Sequence, residues 1–149
     1  MNIYRITTPN YTKLTASGRA ARWNKNGEFV IYAASSIALA CLENIIHRNK
    51  KGLLGEFRIL TIEIPKKVST KKIALHDLTE DWSDKNNFEI CQEITTTWLE
   101  NLESCILIVP SVIFQLEKNY LINPQHPDFK YINLLSVEEF TFDNRIKSE

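Results

Sequence analysis

With 149 residues, 44% apolar and 24% charged side chains, four glycines and five prolines, the chain is long enough for one self-sufficient core, and its composition excludes a disordered or fibrous protein. Eighteen basic and eighteen acidic residues give a formal net charge of zero, and the lysine pairs at 50–51, 66–67 and 71–72 are dispersed. Nucleic-acid recognition, which leaves a clustered positive footprint, is therefore not expected.

The chain starts MNIYRI, without a basic region followed by an apolar leader, and no later run approaches the length of a membrane span. A cytoplasmic protein that does not engage a membrane is the expectation. Residues 2–7 carry the first strand pattern. A polar loop with Arg22-Trp23-Asn24 and a Lys25-Asn26-Gly27 turn leads into a second strand over residues 29–33 (FVIYA), which ends beside Ser35 and Ser36. Either serine can cap the helix that follows, and Ala38, Leu39, Leu42, Ile45 and Ile46 form an apolar stripe at helical spacing. Ser36, Ala40, Glu43 and His47 run along the flank of that stripe, which puts Glu43 at the border of the buried face.

Residues 57–64 (FRILTIEI) read as a third strand stopped by Pro65, and residues 73–75 as a short fourth. After an acidic loop, residues 88–102 form a second helix with Ile90, Ile94, Trp98 and Leu102 on its apolar edge. Residues 105–109 (CILIV) fit a strand buried on both faces, and residues 120–122, 131–135 and 138–142 complete a β-rich C-terminal half. Strands outnumber helices without a regular βαβα alternation, and neither a G-x-G-x-x-G nor a phosphate-loop motif occurs. An α+β fold in a single domain over residues 1–149 is expected, not a doubly wound nucleotide-binding sheet.

Cys41, Cys91 and Cys105 sit among apolar neighbours with no C-x-x-C spacing and read as core residues of a reducing compartment. His47, His76 and His126 lack zinc-like spacing, so no metal site is expected. Arg22 could grip a pyrophosphate with its fork of donors, or simply stack on Trp23 at the surface. Tyr32 suits stacking on a nicotinamide ring, although an aromatic in a strand also serves as ordinary core. Glu43 could be a solvated residue paired with His47 one turn on. Its alternative role is chemical: a nicotinamide glycoside has a leaving group that is already cationic, so it needs no general acid, and one fixed anion near the developing ribosyl cation is the main requirement. Ser111, after Val109-Pro110, lacks a nucleophile-elbow sequence and reads as a hydrogen-bond donor to ligand or as a turn serine. Asn119, Asn123 and His126 could shape a bracing turn.

Two blocks of the chain together resemble the RES-domain family, toxin components of bacterial toxin–antitoxin pairs named for an arginine, a glutamate and a serine. The likeness runs through Tyr4-Arg5-Ile6, Arg22-Trp23-Asn24 with Gly27, Tyr32, Ala38-Leu39-Ala40 before Glu43, and His47. It resumes at Val109-Pro110-Ser111, Asn119-Tyr120, Asn123-Pro124 and His126-Pro127-Asp128-Phe129. The resemblance implies an ADP-ribosyltransferase-like fold, two packed twisted sheets with flanking helices around an NAD cleft. It implies cleavage of NAD+ at the nicotinamide–ribose bond, as a phosphorylase or a glycohydrolase. NAD+ would be the substrate rather than a cofactor, inorganic phosphate a possible co-substrate, and a helix-turn-helix (Xre-type) antitoxin the partner. The family's catalytic residues fall on Arg22, Tyr32, Glu43 and Ser111, with Arg5, Trp23, Asn24 and Asn119 as further residues of the cleft. Ala20 and Ala21 stand where many members have a pair of glycines. Two other functions stay open at this point: ADP-ribosylation of a protein target, and a non-catalytic module that binds a nucleotide or a partner.

Overall fold

Antiparallel pairing organises residues 1–147, the part of the chain that the computed structural model describes. In chain order the regular elements are β1 (Asn2–Thr7), β2 (Ile31–Ala34), α1 (Ile37–His47), β3 (Phe57–Glu63), β4 (Thr70–Lys72), α2 (Glu89–Glu100), β5 (Ile106–Pro110), β6 (Lys118–Ile122) and β7 (Asn133–Phe140). They form one seven-stranded sheet in the order β4-β5-β6-β2-β1-β3-β7. β4 runs parallel to β5, and the other neighbours are antiparallel.

The join between β1 and β2 is unlike the rest. Every residue of β1 pairs with β3 and every residue of β2 pairs with β6, yet β1 and β2 share the single pair Tyr4 and Ala34. The sheet therefore consists of two halves, β4-β5-β6-β2 and β1-β3-β7, hinged at one point. The α+β class is as the sequence suggests; the difference is that its two expected sheets are hydrogen-bonded into one.

Three apolar clusters hold the halves and helices together. Ile3, Leu60 and Ile62 from one half meet Ile31, Ile106, Tyr120 and Ile122 from the other. α2 lays Cys91 and Trp98 against Leu107, Val109 and Leu121, with Trp23 and Trp82 closing the cluster. α1 lays Leu39 and Ala40 against Ile6, Ala34 and Phe57. Residues this enclosed supply the hydrophobic driving force at roughly 25 cal/mol per Å² of apolar surface removed from water. Among the described residues no helix is long and apolar enough to cross a membrane.

Several boundaries depart from the sequence reading. β2 begins at Ile31, because Phe29 leaves the strand to lie over Gly18, whose φ of +74° and missing Cβ make room for the ring: a Cβ there would sit 2.8 Å from it. The fourth strand is 70–72, and Ile73 turns inward onto the α2 cluster while residues 75–77 form a 3-10 turn. The two C-terminal strands are one, β7, which follows β3 past a register shift between Thr61 and Ile62. Tyr131 belongs instead to a 3-10 turn over Pro127–Tyr131, where His126 Nδ1 accepts from the Asp128 amide at 3.0 Å. α1 is also rotated from the expected stripe: Leu39 and Ala40 are buried, whereas Ala38 and Ile46 are exposed.

Trp98 is 0% exposed, and its indole N–H donates to Ser104 Oγ at 2.8 Å. Trp98→Ala should cost about 3–5 kcal/mol through the cavity it leaves, and Ser104→Ala about 1–3 kcal/mol by stranding the buried donor. Urea denaturation of the two variants checks both values; equal, negligible losses would mean that α2 is not seated as described.

Candidate active site

The gap where β1 and β2 part opens into a cleft of about 820 Å³, lined among others by Arg5, Arg22, Tyr32, Glu43, Phe88 and Asn119. That volume lies in the range of small-molecule sites. Its walls come from β1, the loop before β2 and β2 itself, one flank of α1, the segment that carries Ser83, Lys85 and Phe88, and, beyond β5, Val112, Ile113 and Asn119 of β6.

Glu43 owes its place to the start of α1. Ser36 caps the helix, its Oγ accepting from the Leu39 amide at 3.0 Å. Two turns later the helix face returns over the sheet, and small Ala40, one turn earlier on the same flank, is buried. Asn44 fixes the rotation by donating to Ile6 O at 3.1 Å. The Glu43 carboxylate thus meets the ends of β5 and β6, where Asn119 Nδ2 donates to its Oε1 at 2.7 Å and Ser111 Oγ at 3.1 Å. Its second oxygen, Oε2, lies 3.4 Å from His47 Nε2. Burial pushes the Glu43 pKa upward, but the hydrogen bonds from His47, Asn119 and Ser111, with the charge of His47, prevail and hold it below the ordinary glutamate value. The result is an anion with one oxygen clamped and the other, among the described residues, beside a His47 side chain that is itself 70% exposed.

Ser111 is enclosed. Its hydroxyl donates to Glu43 and accepts from the amides of Ile113 and Phe114 at 3.1 and 3.4 Å. A hydroxyl used in this way orients the carboxylate, and it does not line the cleft as a ligand donor. Asn119 does line it, with Oδ1 buried and without a hydrogen-bond partner among the described residues.

Tyr32 lies on the cleft wall, and its hydroxyl donates to Asn24 Oδ1. Burial raises the phenol pKa, so it stays neutral. Asn24 is itself buried behind that ring, where its amide donates to the carbonyls of Arg19, Lys25 and Glu28 at 2.8, 3.1 and 3.1 Å. Asn24 shapes the loop and does not face the cleft. Trp23 turns into the core beside Trp82, ring centroids 6.3 Å apart, and is buried behind the cleft wall.

Arg22 is at the wall, stacked on Phe88 with its guanidinium carbon 4.6 Å from the ring centroid; the expected surface partner, Trp23, faces elsewhere. The guanidinium is also well satisfied. Nη1 donates to Trp82 O at 2.7 Å and Asp84 O at 3.2 Å, and Nη2 to Ser83 O at 3.4 Å. Arg5 contrasts with it: Nη1 donates to Tyr32 O at 2.7 Å across the gap between β1 and β2, and buried Nε has no hydrogen-bond partner among the described residues. Burial lowers the Arg5 pKa to about 10, so it remains a cation at neutral pH.

Some contributors carry no sequence signal. Gln92, on α2, holds the arginine loop by donating to Ala21 O at 2.8 Å and Asn24 O at 3.2 Å, and Phe88 reaches Arg22 from the start of the same helix. Nothing in their local spacing marks them, since both act across a long stretch of chain. The three cysteines stay unpaired, and burial pushes the thiols up, Cys91 to about 11 and Cys105 to about 12, which leaves them poor nucleophiles.

Comparison with known proteins places this architecture. The RES domain family model matches residues 2–143. The chain is 34% identical over 98% of its length to a protein of Photorhabdus laumondii named Toxin Res, covering 97% of it, and 36% identical over 99% to a Toxin Res of Yersinia enterocolitica, covering 100% of it. A Sphingobium protein named Prs ADP-ribosylating toxin is 37% identical over 84% of this chain and 79% of its own. Among solved structures, the M. tuberculosis MbcT–MbcA toxin–antitoxin complex contains a chain that matches with a TM-score of 0.79 at 17% identity, over 99% of this chain and 89% of that one. At that identity the likeness speaks to fold, and the fold agrees. The chain therefore belongs to the RES domain family of toxins.

Proposed function

We propose that this toxin destroys NAD+ by breaking the nicotinamide–ribose bond in the cleft between β1 and β2, with inorganic phosphate or water as the acceptor. The observation that carries the reading is Glu43, an ionised carboxylate whose Oε1 is clamped by Asn119 and Ser111 while Oε2 is turned toward exposed His47. Nicotinamide departs with the electron pair of the C–N bond and so becomes neutral. The ribosyl group left behind is an oxocarbenium ion, and Glu43 stabilises it because the interaction strengthens as that charge forms. The acceptor oxygen then bonds to the anomeric carbon and releases its proton to solvent. The flat, neutral ring of Tyr32 packs on the nicotinamide, and Arg22 supplies positive charge for the pyrophosphate once its carbonyl partners exchange for phosphate oxygens. Ser111 and Asn119 act through Glu43. The site of action is the cytoplasm, where NAD+ is plentiful, and the partner is a helix-turn-helix, Xre-type antitoxin that covers the cleft.

A second reading rests on the Sphingobium relative, whose name describes an ADP-ribosylating toxin. There the same bond breaks, and a protein side chain is the acceptor. Labelled NAD+ in a lysate separates the two: label transferred to protein supports this reading, and label confined to small molecules supports the first.

Purified protein incubated with NAD+, with and without phosphate, should release nicotinamide, and mass spectrometry of the other product distinguishes ADP-ribose from its phosphate ester. Glu43→Gln should slow release by roughly 10²–10³-fold. Release no faster in wild type than in that variant under either condition would end the proposal.

The Glu43 pKa is lower in the folded chain than in the unfolded one. Its ionised form therefore contributes stability above the ordinary carboxylate range, and that contribution disappears as pH falls through the folded-state value. Ser111→Ala removes one stabilising donor, so both the acid limb of kcat and the acid loss of thermal stability should move to higher pH, with KM for NAD+ little changed. Superimposable acid limbs for the two proteins would show that Ser111 does not act through the carboxylate.

A further inference from the structure

A water molecule that bonds to the ribose must lose a proton, and few groups on the cleft wall can take one. The cations Arg5, Arg22, Arg48 and Lys85 have no lone pair to offer. Phenols such as those of Tyr4 and Tyr32 keep their hydrogens near neutral pH. Among the residues of the wall this leaves Glu43 and His47. Glu43 is a poor proton acceptor for the reason that makes it a good anion: Asn119 and Ser111 donate to Oε1, and its pKa is held below the ordinary glutamate value. Imidazole is the side chain suited to taking up a proton near neutral pH.

His47 stands one turn beyond Glu43 on α1, with Nε2 3.4 Å from Glu43 Oε2. A carboxylate only accepts, so the nitrogen that faces it carries the hydrogen of the neutral ring, and Nδ1 keeps the lone pair. The side chain is 70% exposed, which gives a proton taken up there a way out to solvent.

We propose that His47 is a catalytic residue for water as the acceptor, removing its proton as the oxygen bonds to the anomeric carbon, and so sets how the ribosyl cation divides between water and phosphate. The inference rests on the NAD-cleaving reading. In the step, a lone pair of water forms the C–O bond and one O–H bond breaks. Its hydrogen goes to Nδ1, and the electron pair of that bond stays on oxygen as the product hydroxyl. The imidazolium so formed lies beside the Glu43 carboxylate, which stabilises it until the proton passes to solvent. Phosphate dianion attacks with an oxygen that already carries charge and has no proton to lose. His47 therefore serves one acceptor and not the other, while departure of nicotinamide depends on Glu43.

His47→Gln separates the base from the hydrogen-bond donor, since its amide still donates to Glu43 but takes up no proton. The full chain and this variant are incubated with NAD+ over a range of phosphate concentrations near neutral pH, and nicotinamide, ADP-ribose and the phosphate ester are quantified. At a given phosphate concentration the ratio of ADP-ribose to ester should fall roughly tenfold or more in the variant, with nicotinamide release at saturating phosphate little changed. His47→Ala should lower the ratio equally and slow nicotinamide release as well, because Oε2 then loses its neighbour. A ratio within twofold of wild type in both variants overturns the role of His47 and leaves the reaction standing. So does a wild type that releases nicotinamide yet forms a single product at every phosphate concentration, zero included, for then no division exists. A wild type that releases no nicotinamide removes the reaction itself, and the role of His47 with it.

Discussion

The backbone pair between Tyr4 and Ala34 is the constraint from which the cleft follows. An antiparallel ladder normally continues while both strands remain extended, since each further pair satisfies polar groups that are costly to bury alone. Here β1 and β2 are fully paired on their outer sides and part on their inner ones. The Arg5 guanidinium reaches across and takes the Tyr32 carbonyl that a continuing strand would otherwise approach. The two halves can separate because the Ile3, Leu60 and Ile31, Ile122 side chains still meet behind the gap. The cleft is thus a designed interruption of the sheet, held open by packing at its back.

Charge in that gap is asymmetric. Glu43 is an anion made stable by donors from β5, β6 and its own helix, so it remains ionised although largely enclosed. Arg5 is a cation with little protein compensation. Under the proposed reaction, the fixed anion would meet the cation that forms on the ribose. In that reading Glu43, already held by its donors, would need little rearrangement as the charge develops.

The loop that carries Arg22 shows how much structure a single side chain can require. Asn24 gathers three carbonyls of the loop around itself and accepts from the Tyr32 hydroxyl, while Gln92 and Thr96 bind the loop from α2. Positioning of Tyr32 and Arg22 therefore depends on a helix whose own seat is Trp98 in the core. Packing at α2 and geometry at the cleft are one mechanical unit.

Local periodicity was sufficient for β1, whose bounds match the alternating segment 2–7, for a serine cap of α1 at Ser35 or Ser36, which the fold gives to Ser36, and for β5 as a strand enclosed on both faces. These depend on interactions within a few residues, or on burial that shows directly as apolar residue type. The register of β7 and the inward turn of Ile73 were not legible, because each is decided by a neighbour distant in the chain. The same division runs through the site. Arg22, Tyr32, Glu43 and Ser111 are visible as residues in motif order, and the α1 flank already places Glu43 at the edge of a buried face. That Ser111 and Asn119 converge on Glu43, that Arg22 is satisfied by carbonyls of residues 82–84, and that Arg5 is left nearly alone were settled only by folding. Residue order sets which groups are available, whereas their partners, and with them their charge and free valences, come from strands and loops brought together through space.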